Sequence, residues 1–224
     1  MFISKITNLS YIENIYSEHQ LIWQFFPSQP ERQFLYRREL INNRPSYIVV
    51  SNVQPTIPIN IANNTIILES KQYNPTIYDD QRFSFTIRVN PIKETKSNRK
   101  RHDVVMYAIK NHYNLYNYKP NRQVIIQESV SNWLKHHQNK KGFEIIENSI
   151  CVDEYFQHQL FSKTNEKIQF STCNISGQLI ITDDDKFKKM LYNGIGKSKG
   201  FGCGLMLIKP VTPSSIKLEH EKRL

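Results

Sequence analysis

Two short apolar runs bracket a single amphipathic stripe near the N-terminus, and this alternation constrains the chain more than any other feature. MFISKITNL (1–9) sets Phe2, Ile3, Ile6 and Leu9 among polar residues, as a short strand does. Ser10 then offers a helix N-cap, and Pro27 with the Ser-Gln-Pro after it stops the helix so begun. Between them, at about 100° per residue, Ile12, Ile15, Tyr16, His19, Ile22, Trp23 and Phe26 share one face, the stripe that packs a helix on a sheet. Strand-like runs follow at 33–40, 46–51, 65–73 and 83–90, and Asn42-Asn43-Arg44-Pro45 supplies the turn between the first two. Pro55 and Pro58 break any helix before the run at 65–73.

Strand, helix, strand, strand, irregular segment, strand is most of a βαββαβ, ferredoxin-like unit. The second half repeats the order more loosely. A helix over Val124–Lys141 closes at Gly142, strands fall within 143–161 and 167–182, a short helix spans 183–192 behind Asp183-Asp184-Asp185, and a strand covers 204–210. The expected architecture is α+β, two tandem ferredoxin-like (RRM-like) βαββαβ domains. Residues 1–78 and 79–210 form the domains, and 211–224 a charged tail. A chain of 224 residues accommodates two small domains.

Thirty Lys and Arg against twenty Asp and Glu give a net charge of +10, which favours a polyanionic partner, nucleic acid before an anionic membrane surface. No apolar run approaches the roughly 18 residues a bilayer span needs, so a membrane partner is not expected. The first residues show no basic and apolar leader, which makes the cytoplasm the expected compartment. Cys151, Cys173 and Cys203 are odd in number and far apart, which argues against disulfides and a zinc site and for reduced thiols. The densest charge is Lys93, Lys96, Arg99, Lys100 and Arg101, five cations in nine residues with Glu94 the one acid. Such a segment suits a phosphate backbone, although a solvated loop explains it equally well. Lys135, His136, His137, Lys140 and Lys141 end a helix, where positive charge already satisfies the dipole.

Five of the seven glycines, Gly194, Gly196, Gly200, Gly202 and Gly204, fall within eleven residues. A P-loop would need glycine at 191, which is Leu191, and a dinucleotide fingerprint would need it at 199, which is Lys199. Both motifs also run from strand to helix, the reverse of the order here. There remains a loop that brings its backbone close to a partner and carries Lys197 and Lys199 toward phosphates, against the plainer reading of a tightly packed turn. His19 sits in the middle of the apolar stripe, where a histidine is more often a satisfied core residue than a catalyst. The other histidines show no metal-ligand spacing, and no cofactor is indicated.

Three blocks together resemble the CasE family, the repeat-cleaving endoribonucleases of type I-E CRISPR systems. They are Tyr16-x-x-His19-Gln20-x-x-Trp23-x-x-Phe26-Pro27, Arg88-x-Asn90-Pro91-x-Lys93, and Gly194-Ile195-Gly196-x-x-Lys199-x-x-Gly202-Cys203-Gly204-Leu205. The resemblance runs to about Pro210 and implies the tandem fold read above. It also implies metal-independent cleavage of a CRISPR repeat hairpin RNA at the 3′ base of its stem, the enzyme then staying on its product beside the other Cascade subunits. By position, His19 is the family's catalytic histidine and Tyr16 the tyrosine beside it. Arg88 and residues 93–101 face the RNA stem, and the loop Gly194, Gly196, Lys197, Lys199, Gly200 and Gly202 lies against RNA. On this reading His19 acts as base to the 2′-OH or acid to the 5′-oxygen, Tyr16 holds the phosphate or shares proton transfer, and Lys199 neutralises the transition state. The competing expectation is a non-catalytic RRM-like RNA-binding subunit. No segment carries the aromatic RRM signature that single-strand stacking would use. A basic structural protein on DNA would need a helix-turn-helix or zinc motif, which is absent too.

Overall fold

The computed structural model describes the chain except residues 9–11, 13, 28, 42–43, 60–64, 95–99, 119–120, 162–164 and 212–224. In the first half, strand β1 (Phe2–Asn8) leads to helix α1 (Ile15–Gln24) and strands β2 (Phe34–Ile41), β3 (Arg44–Ser51) and β4 (Ile66–Gln72). The second half begins with β5 (Arg82–Val89), a hairpin of β6 (Ile92–Glu94) and β7 (Arg101–Asp103), and helices α2 (Val104–Tyr116) and α3 (Arg122–Lys141). It continues through β8 (Phe143–Ile145), β9 (Cys151–Phe161), β10 (Lys167–Ile181), α4 (Asp184–Asn193) and β11 (Met206–Pro210).

Both sheets are antiparallel, ordered β2-β3-β1-β4 and β11-β5-β10-β8, with β9 paired along β10. In each, the last strand lies beside the first and the first beside the third, which is the expected ferredoxin-like order. Patterning explains the second sheet. Phe83, Phe85, Ile87 and Val89 of β5 are buried while the residues between them are not, the period-two signature of one covered face. Helix α3 answers with Ile126, Val130, Trp133 and Leu134 at helical spacing, and Phe187 and Leu191 of α4 complete that core.

The first half of strand β2 is buried on both faces. Phe34 and Tyr36 enter the core under α1, with Ile22 and Tyr47. Leu35, pointing the other way, packs with Val50 against Leu205 and Leu207 of the second half. The seam between the halves is therefore made by alternate residues of one strand.

Several expectations need correction. Helix α1 starts at Ile15 because Asn14 Oδ1 accepts from the N–H groups of Tyr16 and Ser17 at 2.9 and 3.0 Å, which satisfies two orphan donors at once. The expected cap, Ser10, lies outside the described residues, as does Asn42-Asn43 of the expected turn. Phe26 falls past the helix end yet stays buried. The strand expected from Gly204 starts at Met206, since Gly204 has φ +91° and cannot be extended. Helix α2 was not anticipated. Asp103 caps it, accepting from Val105 and Met106 N–H, but it buries only Val104 and Val105 and leaves Met106, Tyr113, Leu115 and Tyr116 exposed. The basic segment, expected as a loop, has Lys93 in β6 and Arg101 in β7; Lys96, Ser97 and Arg99 lie outside the described residues. All three cysteines are free thiols, and among the described residues no helix is long and apolar enough to cross a membrane.

Leu134 is fully buried and Leu115 is 76% exposed. Leu134→Ala is expected to lower unfolding stability by about 2–5 kcal/mol, and Leu115→Ala to stay within about 0.5 kcal/mol of the parent, both read from urea melts.

Candidate functional site

The seam brings α1 from the first half against the glycine loop of the second. Within that loop Lys199–Phe201 form one turn of 3-10 helix. His19, half-buried on α1, lies against it: its Cε1 is 3.2 Å from where a Cβ on Gly200 would sit, so a side chain at 200 would crowd the imidazole. The His19 ring packs on Phe201 with centroids 5.8 Å apart and meets Trp23 edge-on at 6.3 Å. Tyr16 is half-buried one helical turn earlier.

The turn is held from several sides. Tyr36 of β2 donates its hydroxyl to the Gly200 carbonyl at 2.9 Å. Asn90 Nδ2 donates to Ser198 Oγ at 2.7 Å. The base of the loop closes through Ile195 N–H to the Gly204 carbonyl and Gly204 N–H to the Arg88 carbonyl of β5. Gly202, at φ +76°, lays its backbone on the Tyr36 ring, 3.3 Å from where its Cβ would be. Gly194 packs on Leu35 and Gly204, and Gly196 on Trp133. These glycines place backbone against ring and backbone, and their packing presents Gly200 and Phe201 to His19.

Charge follows the geometry. Burial holds the His19 imidazole below the ordinary histidine range, and the Arg32 guanidinium adds to the effect against the opposing pull of the Gly200 backbone. Its Nδ1 is buried and has no hydrogen-bond partner among the described residues. Lys199 is lowered too, by burial first and then by Arg32, Lys141 and Lys197. His19 is thus held toward its neutral form, and Arg32 is the cation that acts on both His19 and Lys199.

Arg32, in the turn before β2, has no sequence signal beyond positive charge in a polar stretch. Lys141, at the end of α3, belongs to the helix-end cluster whose charge the sequence assigns to the dipole. Glu18 was missed as well. It is 3% exposed, ion-paired to Arg38 at 3.2 Å, and its carboxyl is raised chiefly by burial.

Other candidate residues are placed differently. Arg88 Nη2 donates to Thr172 Oγ1 at 3.1 Å, and its Nε is buried without a partner among the described residues. With Glu18, Tyr36, Arg38 and His158 it lines a cavity of about 240 Å³. His158 is pushed down to about 4 by burial and by Arg88. Lys93 sits 3.4 Å over the Tyr107 ring, and Arg101 is 3.9 Å from Glu94. Lys100 is exposed, as is Lys197. Arg101 and Lys197 both line a larger cavity, of about 680 Å³.

Comparison with known families decides the relationship. The model of a family described as CRISPR associated protein matches residues 5–210. The chain belongs to that family. The resemblance to CasE read from the three sequence blocks is borne out. This family member is 29% identical over 217 residues to the CRISPR system Cascade subunit CasE of Escherichia coli (strain K12), covering 94% of this chain and all of that one. In structure it resembles Thermus thermophilus Cse3 bound to an RNA representing a pre-cleavage complex, with TM-score 0.70, 18% identity and coverage of 93% and 99%. It also resembles Cas6e from Escherichia coli K-12, with TM-score 0.64, 20% identity and coverage of 94% and 100%. At these identities the structural likeness carries the fold.

An NMR titration of the free protein is expected to give His19 a midpoint below the ordinary value of about 6.5. Arg32→Ala removes a repelling cation and is expected to move that midpoint upward. A parent midpoint above 6.5, or a downward move in the variant, contradicts the electrostatic account.

Proposed function

We propose that this protein is a metal-independent endoribonuclease that cuts CRISPR precursor RNA at the 3′ base of the repeat stem-loop and remains on the mature guide RNA within Cascade. The observation that carries the reading is His19, held toward its neutral form by burial and by Arg32 and packed on the Lys199–Phe201 turn, in a chain of this family. Its relatives' names point the same way: a Cascade subunit and an endoribonuclease bound to RNA.

RNA carries its own nucleophile, so strand cleavage needs proton transfer, in-line geometry and charge stabilisation, and no metal-activated water. His19, unprotonated at neutral pH, takes the 2′-OH proton as general base. The 2′-oxygen then bonds to phosphorus, and the P–O5′ bond breaks as solvent water donates a proton to O5′. The products are a 2′,3′-cyclic phosphate and a 5′-hydroxyl. Lys199 neutralises the charge that builds on the phosphorane, a role helped by its restricted, half-buried setting. Tyr16 holds the scissile phosphate. Arg88, Lys93, Lys96, Arg99, Lys100, Arg101, Lys197 and Gly200 belong to the RNA-facing side of this reading, the cations following phosphates along the stem. Gly194, Gly196 and Gly202, expected against RNA, are instead turned inward onto Leu35, Trp133 and Tyr36 and shape the loop.

His19→Ala is expected to slow cutting of a labelled repeat hairpin by about 10²–10⁴-fold while leaving its binding intact. Cutting is expected to persist in EDTA and to stop with 2′-deoxy at the cut site. Because the base must be unprotonated, the rate constant falls as pH drops through the His19 midpoint, below about 6.5. Wild-type cutting by His19→Ala, or cutting of the 2′-deoxy hairpin, refutes the assignment.

A further inference from the structure

Past the end of β5, strands β9 and β10 continue as a ribbon: β10 pairs with β5 from Cys173 to Ile180, and with β9 out to Lys167. A β-bulge stands where the ribbon leaves the sheet, with the register shifting between Thr172 and Asn174 and Glu154 at φ +53°. Such an insertion bends a strand pair and re-aims its side chains. One face of the ribbon carries His158 and Phe170, a cross-strand pair whose rings stack with centroids 4.8 Å apart and planes 22° apart. Phe201 of the glycine loop stacks on Phe170 in turn, at 5.0 Å and 18°. The far end of this row is tied down: His158 Nε2 lies 2.8 Å from Thr172 Oγ1, which also accepts from Arg88 Nη2.

The row serves neither core. Phe170 and Phe201 are half-exposed and stand outside the buried clusters of both halves. What the row reaches is His19, whose imidazole packs on Phe201 with the two planes tilted by 51°. A histidine ring is commonly fixed by a hydrogen bond to one of its nitrogens. Here Nδ1 is buried and has no hydrogen-bond partner among the described residues, so the angle of the ring rests on its packing against Trp23, Phe201 and Gly200. Trp23 rides on α1 with His19 itself, whereas Phe201 is held from outside, by the ribbon.

We propose that Phe170, acting through Phe201, is a positioning residue for His19, and that the row of His158, Phe170 and Phe201 fixes the angle at which the imidazole meets the RNA 2′-OH. The inference rests on the endoribonuclease reading for the reaction that His19 serves. Phe170 takes no part in the chemistry, and its ring faces are already taken by His158 and Phe201. Its effect falls on the rate of the bound complex. Proton transfer needs the base within hydrogen-bond reach and correctly aimed, and a small misplacement of a held group costs a large factor in rate.

The test compares the parent with Phe170→Leu, which keeps apolar volume without a ring plane, and Phe170→Tyr, which restores the ring; urea melts check that each is folded. Phe170→Leu is expected to slow single-turnover cutting of the repeat hairpin about tenfold, while Kd for a 2′-deoxy hairpin stays within about twofold of the parent. The NMR titration of His19 is expected to move upward in Phe170→Leu, because a loosened ring gains water, and the pH dependence of the rate moves with it. Arg32, which also lowers the imidazole, is left in place. Phe170→Tyr is expected to recover both rate and titration. Phe201→Leu removes the last ring of the row and is expected to show the same two changes, so a misfolded Phe170→Leu does not end the test. A parental rate in a folded Leu variant overturns the proposal, as does a slower rate with an unmoved His19 titration, or a loss that falls on Kd instead of rate. A parent that binds the hairpin without cutting removes the nuclease reading alone, and the His19 titration then decides whether the row holds the ring.

Discussion

One hydrogen bond, from the Tyr36 hydroxyl to the Gly200 carbonyl, decides where the loop stands relative to α1. Tyr36 is fully buried, and its hydroxyl is held protonated far above the usual phenol range by burial and by the Glu18 carboxylate, so it is a dependable donor. A neutral hydrogen bond contributes about 1 kcal/mol. Its importance is positional, because the same ring is the surface on which Gly202 rests. The seam of Leu35, Val50 and Leu205 supplies the larger apolar contribution that holds the two sheets together, and Tyr36 converts that docking into a set position for Gly200 against His19.

The fold was legible where one face of an element is covered. β5 alternates cleanly, and α3 keeps its apolar spacing to Gly142, as the sequence suggested. α2 escaped because its apolar residues face solvent as often as core, which blurs the period that marks a helix. Glu18 escaped for the opposite reason. Its charge sets it apart from the apolar stripe, yet it is buried one turn before Ile22 on the same face of α1, where Arg38 pairs with it.

His19 shows the limit of periodicity most plainly. Its place in the apolar stripe was read correctly, but the surface it meets is a loop nearly the whole chain away, which no local pattern contains. The resemblance to a known family pointed to His19; the structure adds Trp23, Phe201, Gly200 and Arg32 as its neighbours. Arg32, Lys141 and Lys197 all act on Lys199 and lower its ammonium. The sequence showed a net charge and a dense basic segment; folding placed a second concentration of charge, drawn from three separate stretches, around Lys199 in the loop that meets the histidine.

The Tyr36–Gly200 contact joins residues 164 positions apart. During synthesis, the first sheet and α1 can leave the ribosome and fold while the loop that completes the site is still unmade. His19 therefore remains without the Gly200 and Phe201 surface until translation has passed Gly204. A nascent chain short of that point carries the histidine but not the pocket that surrounds it.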